Sequence, residues 1–165
     1  MKLNGEKREA ETTAPPDALS RRAALLCALL LALMAVQMLT VIRSKSITVD
    51  EWVMIPAGFY HLTTGNYHPV NEHPPFAKTI AAAPLLLTGA QAPPIDARPH
   101  AYEYFLDKFN DFWKGNAAQF DYLSFWARVP LVAVTLLLGA LVFVFARRHW
   151  GGRAALFAVA LYTLE

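Results

Sequence analysis

The sequence predicts an all-α fold, a polytopic membrane protein fragment with two complete transmembrane helices, the start of a third, and interfacial helices in the first outer loop. Three observations carry that expectation. Residues 23–42, AALLCALLLALMAVQMLTVI, hold no charge and only Gln37 and Thr40 as polar interruptions. A helix of that length rises about 30 Å, enough to cross the hydrocarbon core of a bilayer. Residues 129–146, VPLVAVTLLLGALVFVFA, form a second uncharged run, closed by Arg147, Arg148, His149 and Trp150 as an interfacial anchor. A third apolar run covers residues 154–164 and stops at Glu165. It is too short to cross, since a span needs about 20 residues. The expectation is a chain cut within its third helix.

Composition narrows the class further. The chain is 55% hydrophobic with a formal net charge of +2, which favours neither a disordered chain nor nucleic-acid binding by bulk charge. The first run is longer than the roughly 7–15 apolar residues of a signal peptide and ends in Val41, Ile42, Arg43, Ser44, so an uncleaved anchor is expected. Cys27, the single cysteine, lies inside that anchor and permits no intramolecular disulfide.

Residues 1–22 are polar, contain Pro15 and Pro16, and read as a disordered tail. Arg21 and Arg22 precede the first span, and the connection at residues 147–153 carries three arginines and no acid. The positive-inside rule places both in the cytoplasm of a plasma (inner) membrane protein, leaving residues 43–128 outside. Arg43 and Lys45 argue weakly the other way.

Within the outer segment, Thr48 followed by Glu51 is a capping-box pattern that predicts a helix start, and Gly65 marks its end. Pro56 falls inside and predicts a kink. Residues 76–88 read as a second helix, apolar except for Lys78, Thr79 and Thr88, lying along the membrane surface or under the outer segment. Residues 91–100 read as a proline-rich linker. The ten aromatics between Tyr102 and Trp126 fit an interfacial belt better than a soluble core.

The outer segment carries the candidate chemistry. Asp50 and Glu51 have a plain reading, in which acids suit the first turn of a helix because of its dipole. Lys78 suits an anionic headgroup or phosphate, or else snorkels to water. Glu72 and His73, beside Asn71, concentrate titratable groups before Pro74 and Pro75, and a solvated loop accounts for them equally. A metal site from Glu72, His73 and another acid matches no closed ligand spacing, so a divalent cation stays an open possibility. Arg128 enters the second span as a phosphate contact or a headgroup anchor.

Together, Thr48, Val49, Asp50, Glu51, the stretch from Phe59 to Tyr67, the run Asn71, Glu72, His73, Pro74, Pro75, Phe76, Ala77, Lys78, and Phe125 to Pro130 resemble the N-terminal part of the C-type membrane glycosyltransferases. The closer likeness is to the protein O-mannosyltransferase and aminoarabinose transferase superfamily. The resemblance covers about residue 46 to the end. It implies transfer of a sugar from a polyprenyl or dolichyl phosphate donor to a protein, lipid or glycan acceptor. It also implies Asp50 as the catalytic carboxylate, Glu51 as its support, and Lys78, with Arg128, as lipid-phosphate contacts. The rival expectation is a non-catalytic assembly subunit or a transporter fragment. The absence of ionisable residues from both complete spans counts against a transporter, which would place polar or broken helices at mid-membrane.

Overall fold

The computed structural model describes residues 18–71, 73–96 and 101–164, and among these residues there are helices and turns but no strand. The helices are α1 (Ala18–Ser44), α2 (Val49–Thr64), α3 (Pro75–Ala82), α4 (Tyr102–Gly115) and α5 (Phe120–Leu164), with short 3-10 turns at Ala83–Leu87 and Ala117–Gln119. Two stretches, Arg21–Ser44 and Ala117–Leu164, are long and apolar enough to cross a membrane.

Both outrun the boundaries read from hydropathy. Helix α1 already includes residues 18–22, which the tail reading had left without structure; the rest of that tail, residues 1–17, lies outside the described residues. Helix α5 begins nine residues before Val129 and passes through Pro130. The expected seven-residue connection at 147–153 is largely helical, and the break is confined to Gly151, at φ 85° and ψ 175°. Only glycine adopts such a backbone at low cost, so one residue reverses the chain.

Beyond it, residues 152–164 run back along the first arm of α5. Ala155 and Val159 pack with Phe143, Ala146, Ala23 and Cys27, and the Tyr162 hydroxyl donates to the Thr135 carbonyl at 2.9 Å. The contacts pair rising numbers with falling ones, so the two arms are antiparallel and α1 lies against both.

The segment between the two long apolar helices has its own core, centred on α2. One face of α2 places Ile55 and Phe59 against Ala82, Leu85, Phe112, Trp113, Leu123 and Ala127. The other places Val53, Ala57 and Tyr60 against Val70, Phe105 and Phe109. The aromatics of α4 therefore do not all form a membrane belt. Phe105, Phe109, Phe112 and Trp113 recur at i, i+4, i+7 and i+8, the spacing of a core-facing helix stripe, and are buried. Tyr102, Tyr122 and Trp126 stay exposed.

Pro56 has a partner for its missing donor. A helix N–H at position 56 would bond the Trp52 carbonyl, and proline leaves that carbonyl open. The indole of Trp113 donates to it at 2.8 Å. Trp52 in turn donates from its own indole to Asn110 Oδ1 at 3.0 Å, and its ring lies 5.5 Å from that of Trp113.

The stretch read as a linker is pinned where it is described. Asn116 Nδ2 donates to the Gln91 carbonyl at 2.6 Å and its Oδ1 accepts from the Gln91 amide at 3.1 Å. The Tyr60 hydroxyl donates to the Pro93 carbonyl. Residues 76–88 are helical to Ala82 and then 3-10 to Leu87, packed under α2.

Helices α2 and α3 approach closely at Gly58, where an added Cβ would lie 2.1 Å from the Lys78 carbonyl oxygen. That neighbour is backbone and cannot swing aside. Gly58→Ala is expected to force α3 outward and to cost about 1–3 kcal/mol of stability. Chemical unfolding of the protein in detergent micelles measures this, and an unchanged midpoint would show that the two helices are not held together there.

Candidate functional site

The first turn of α2 is set by its cap. Thr48 Oγ1 accepts from the Glu51 amide at 3.3 Å, and Glu51 Oε2 accepts from the Thr48 amide at 2.7 Å, the reciprocal pair the sequence predicts. At the far end Gly65, in the left-handed region, donates to the His61 carbonyl at 3.1 Å. The cap orients consecutive carboxylates differently. Glu51 turns inward to Arg128, whereas Asp50 is exposed.

Arg128 is buried, with 7% of its surface exposed, and uses all five of its N–H groups inside the chain. Nε donates to Glu51 Oε1 at 2.7 Å, and one terminal nitrogen donates to Glu51 Oε2 at 2.7 Å and to the Ser46 carbonyl at 2.8 Å. The other donates to the Lys45 carbonyl at 2.7 Å and to the Ile42 carbonyl at 3.2 Å. The expected phosphate contact or headgroup anchor at Arg128 is replaced by a structural clamp with no donor left over. Hydrogen bonding to Arg128 holds the Glu51 carboxyl below the usual carboxylate range.

The chain from Gly65 returns to the start of α2. Thr64 Oγ1 accepts from the Asn66 amide at 3.1 Å and Asn66 Oδ1 from the His68 amide at 3.0 Å, which tightens the turn. A cleft of about 250 Å³ results, lined by Val49, Asp50, Val53, Met54, Val70, His73 and Tyr102. Asp50 and His73 thus share one concavity. Glu72 lies outside the described residues. Among the described residues, no group of three or more His, Cys, Asp and Glu side chains is placed to hold a metal ion.

Lys78 differs from both of its expected placements. It neither lies open at a lipid interface nor snorkels to water, for it is 3% exposed and donates from Nζ to the Val70 carbonyl. It sits directly behind the cleft wall. Val70 has φ 54°, rare for a β-branched residue and worth about 1–3 kcal/mol of strain. Burial against Phe105 and Phe109 and the bond from Lys78 hold it there.

His61 belongs to the same support. Its ring is 2% exposed and 4.8 Å from that of Tyr67, and Nε2 bonds the Pro69 carbonyl at 3.0 Å, while Nδ1 has no partner. Burial, together with the nearby Lys78 charge, pushes the His61 pKa down, against the pull of the Pro69 carbonyl. Val70 and Tyr102 escape sequence reasoning as cleft residues. Nothing in a lone valine signals a left-handed backbone, whereas Tyr102, on the exposed side of an aromatic helix stripe, was open to such a reading.

No protein-family model, curated protein or solved structure matches the chain. The roles of these residues therefore rest on geometry and chemistry.

Arg128→Ala would remove the partner of the half-buried Glu51 carboxylate and of three carbonyls, and is expected to cost about 1–3 kcal/mol. Arg128→Lys is expected to recover only part of this, because an ammonium lacks the planar fork. Thermal unfolding in micelles gives the ranking.

Acid should destabilise the α2-centred core in two stages. The His61 pKa is lowered on folding, so its contribution is complete above the unfolded value of 6.5 and is lost as pH falls below it through the folded value. The Glu51 contribution is lost only lower, as pH falls through the carboxylate range from 4.5. In a pH series of unfolding midpoints, His61→Gln should abolish the first decline and leave the second.

Proposed function

We propose that the chain carries the first outer loop of an inverting glycosyltransferase, which moves a sugar from a polyprenyl or dolichyl phosphate onto a hydroxyl of a protein, lipid or glycan acceptor. In this reading it is a multipass plasma (inner) membrane protein with a cytoplasmic N-terminus, and residues 43–128 face outward. The observation that carries the proposal is the division between adjacent carboxylates. Glu51 is consumed by the helix cap and Arg128, while Asp50 stands exposed in a cleft with His73 and Tyr102.

The acceptor hydroxyl approaches Asp50, whose carboxylate takes its proton as the oxygen attacks the anomeric carbon. The anomeric carbon–oxygen bond to the lipid phosphate breaks, and its electron pair departs with the phosphate. Attack opposite the leaving group inverts the anomeric centre. Negative charge grows on the departing phosphate, and a fixed cation near the site favours that growth. Lys78 supplies it from behind the Val70 wall, where a medium less polar than water screens its field weakly. His73, exposed on the lining of the same cleft, serves as a hydrogen-bond partner for the donor. Glu51 and Arg128 act on the reaction only by fixing the backbone on which Asp50 stands.

Membranes containing the protein, supplied with a polyprenyl-phosphate sugar, test this with Asp50→Asn at matched protein level. Transfer is expected to fall by roughly 10²–10⁴-fold with the unfolding midpoint unchanged. Full transfer by the variant would reduce Asp50 to a helix-start residue and end the proposal.

A further inference from the structure

A larger concavity lies away from the Asp50 cleft, where α1 ends and α5 begins. It has a volume of about 600 Å³, and its charged lining residues are Arg43, Lys45 and Asp121. Among the described residues none of these three has an ion-pair partner, and Arg43 and Lys45 are exposed. The outer wall is aromatic, with Trp126 packed on the edges or faces of Tyr122 and Phe125 at 6.2 and 5.7 Å between centroids. The concavity does not end at the polar level. A second hollow, of about 480 Å³, shares Arg43, Ser44 and Phe125 with it and continues down α1 past Thr40, Leu39 and Val36. Those positions lie on one side of the helix, within the stretch long and apolar enough to cross a membrane.

A polar, net cationic chamber that opens into an apolar groove along a membrane-length helix has the shape of one kind of ligand. We infer that this groove binds a membrane glycerophospholipid with a net anionic headgroup, its phosphate against Arg43 and Lys45 and one acyl chain laid along Val36, Leu39 and Phe125. Two basic residues against one acid leave the chamber with a surplus positive charge, which is the complement of such a headgroup. Tyr122 and Trp126 lie at the level where amphipathic rings meet lipid headgroups. The same lipid explains why Arg43 and Lys45 stand at the end of α1 opposite to the one where basic residues are otherwise concentrated. Arg128 shapes the chamber from behind, since the Ile42, Lys45 and Ser46 carbonyls that it grips belong to the chamber wall. The inference rests on the membrane placement proposed above and is independent of sugar transfer.

The test is lipid retention by the delipidated full chain, read by native mass spectrometry against added phosphatidylglycerol, phosphatidylcholine and inorganic phosphate. Phosphatidylglycerol is expected to be retained in preference to phosphatidylcholine. The double variant Arg43→Gln, Lys45→Gln should weaken that retention by roughly tenfold or more, at about the contribution of one basic residue each. Asp121→Asn should strengthen it, and Val36→Trp, which fills the groove, should reduce it while all charges remain. These side chains are exposed or unpaired, so an unchanged unfolding midpoint is the folding control. Equal retention by the double variant and the wild type would overturn the inference. So would displacement of the lipid by inorganic phosphate at similar concentration, which would make the site one for free phosphate. A failure of sugar transfer alone would leave this result untouched, and a failure here would leave the Asp50 proposal standing.

Discussion

The half of the molecule built around α2 depends on one guanidinium. Arg128 stands where the first arm of α5 leaves the α2-centred core, and its five donors reach the last turn of α1, the strap that follows it, and the first turn of α2. A planar fork can engage a carboxylate on one edge and carbonyls on the others, which a point-like ammonium cannot. Three successive segments, residues 42–51, are thereby tied to a side chain about eighty positions further along the chain. The direction in which α2 sets off, and hence the place where Asp50 is presented, follows from that junction. The carboxylate that satisfies the arginine also closes the helix cap, so one side chain serves electrostatics and backbone at once.

Around this junction α2 behaves as a central post with two apolar faces. Its Ile55 face meets α3, α4 and the first arm of α5, while its Val53 face meets α4 and the returning loop. Gly58 lets α3 come close enough to bring Lys78 beneath Val70. The cleft is therefore built by packing behind it, and its wall is held from inside by a cation and two phenylalanines.

Much of this was legible in the sequence where the causes are local. Thr48 and Glu51 announce a cap, Gly65 announces a stop, and two uncharged runs announce membrane-length helices. The features missed have different causes, of which one is a partner far along the chain. Glu51 and Arg128 are separated by 77 positions, so a first-turn acid and an entry arginine each looked self-sufficient. Lys78 looked interfacial because its helix is apolar, and only the left-handed turn at Val70 puts a carbonyl within its reach. The burial of Phe105, Phe109, Phe112 and Trp113 was available from their spacing, but aromatic density beside a span outweighed it. The reversal at Gly151 was misjudged in width because arginines and a histidine, read as a loop, are also good company for the end of a helix.

Pro56 has a consequence that reaches beyond its own helix. An uninterrupted helix offers a partner no marker of where along its length it should be met, because its backbone groups are all engaged internally. By leaving one carbonyl open, the proline turns α2 into a surface with an address, and Trp113, 61 positions later, is the side chain that reads it. If α4 slid by a turn, the indole would meet a saturated backbone and the Trp52 oxygen would be buried alone. The alignment of the two helices is thus specified by a missing hydrogen atom. A residue commonly counted as a fault in a helix is what fixes the register of α4 against α2.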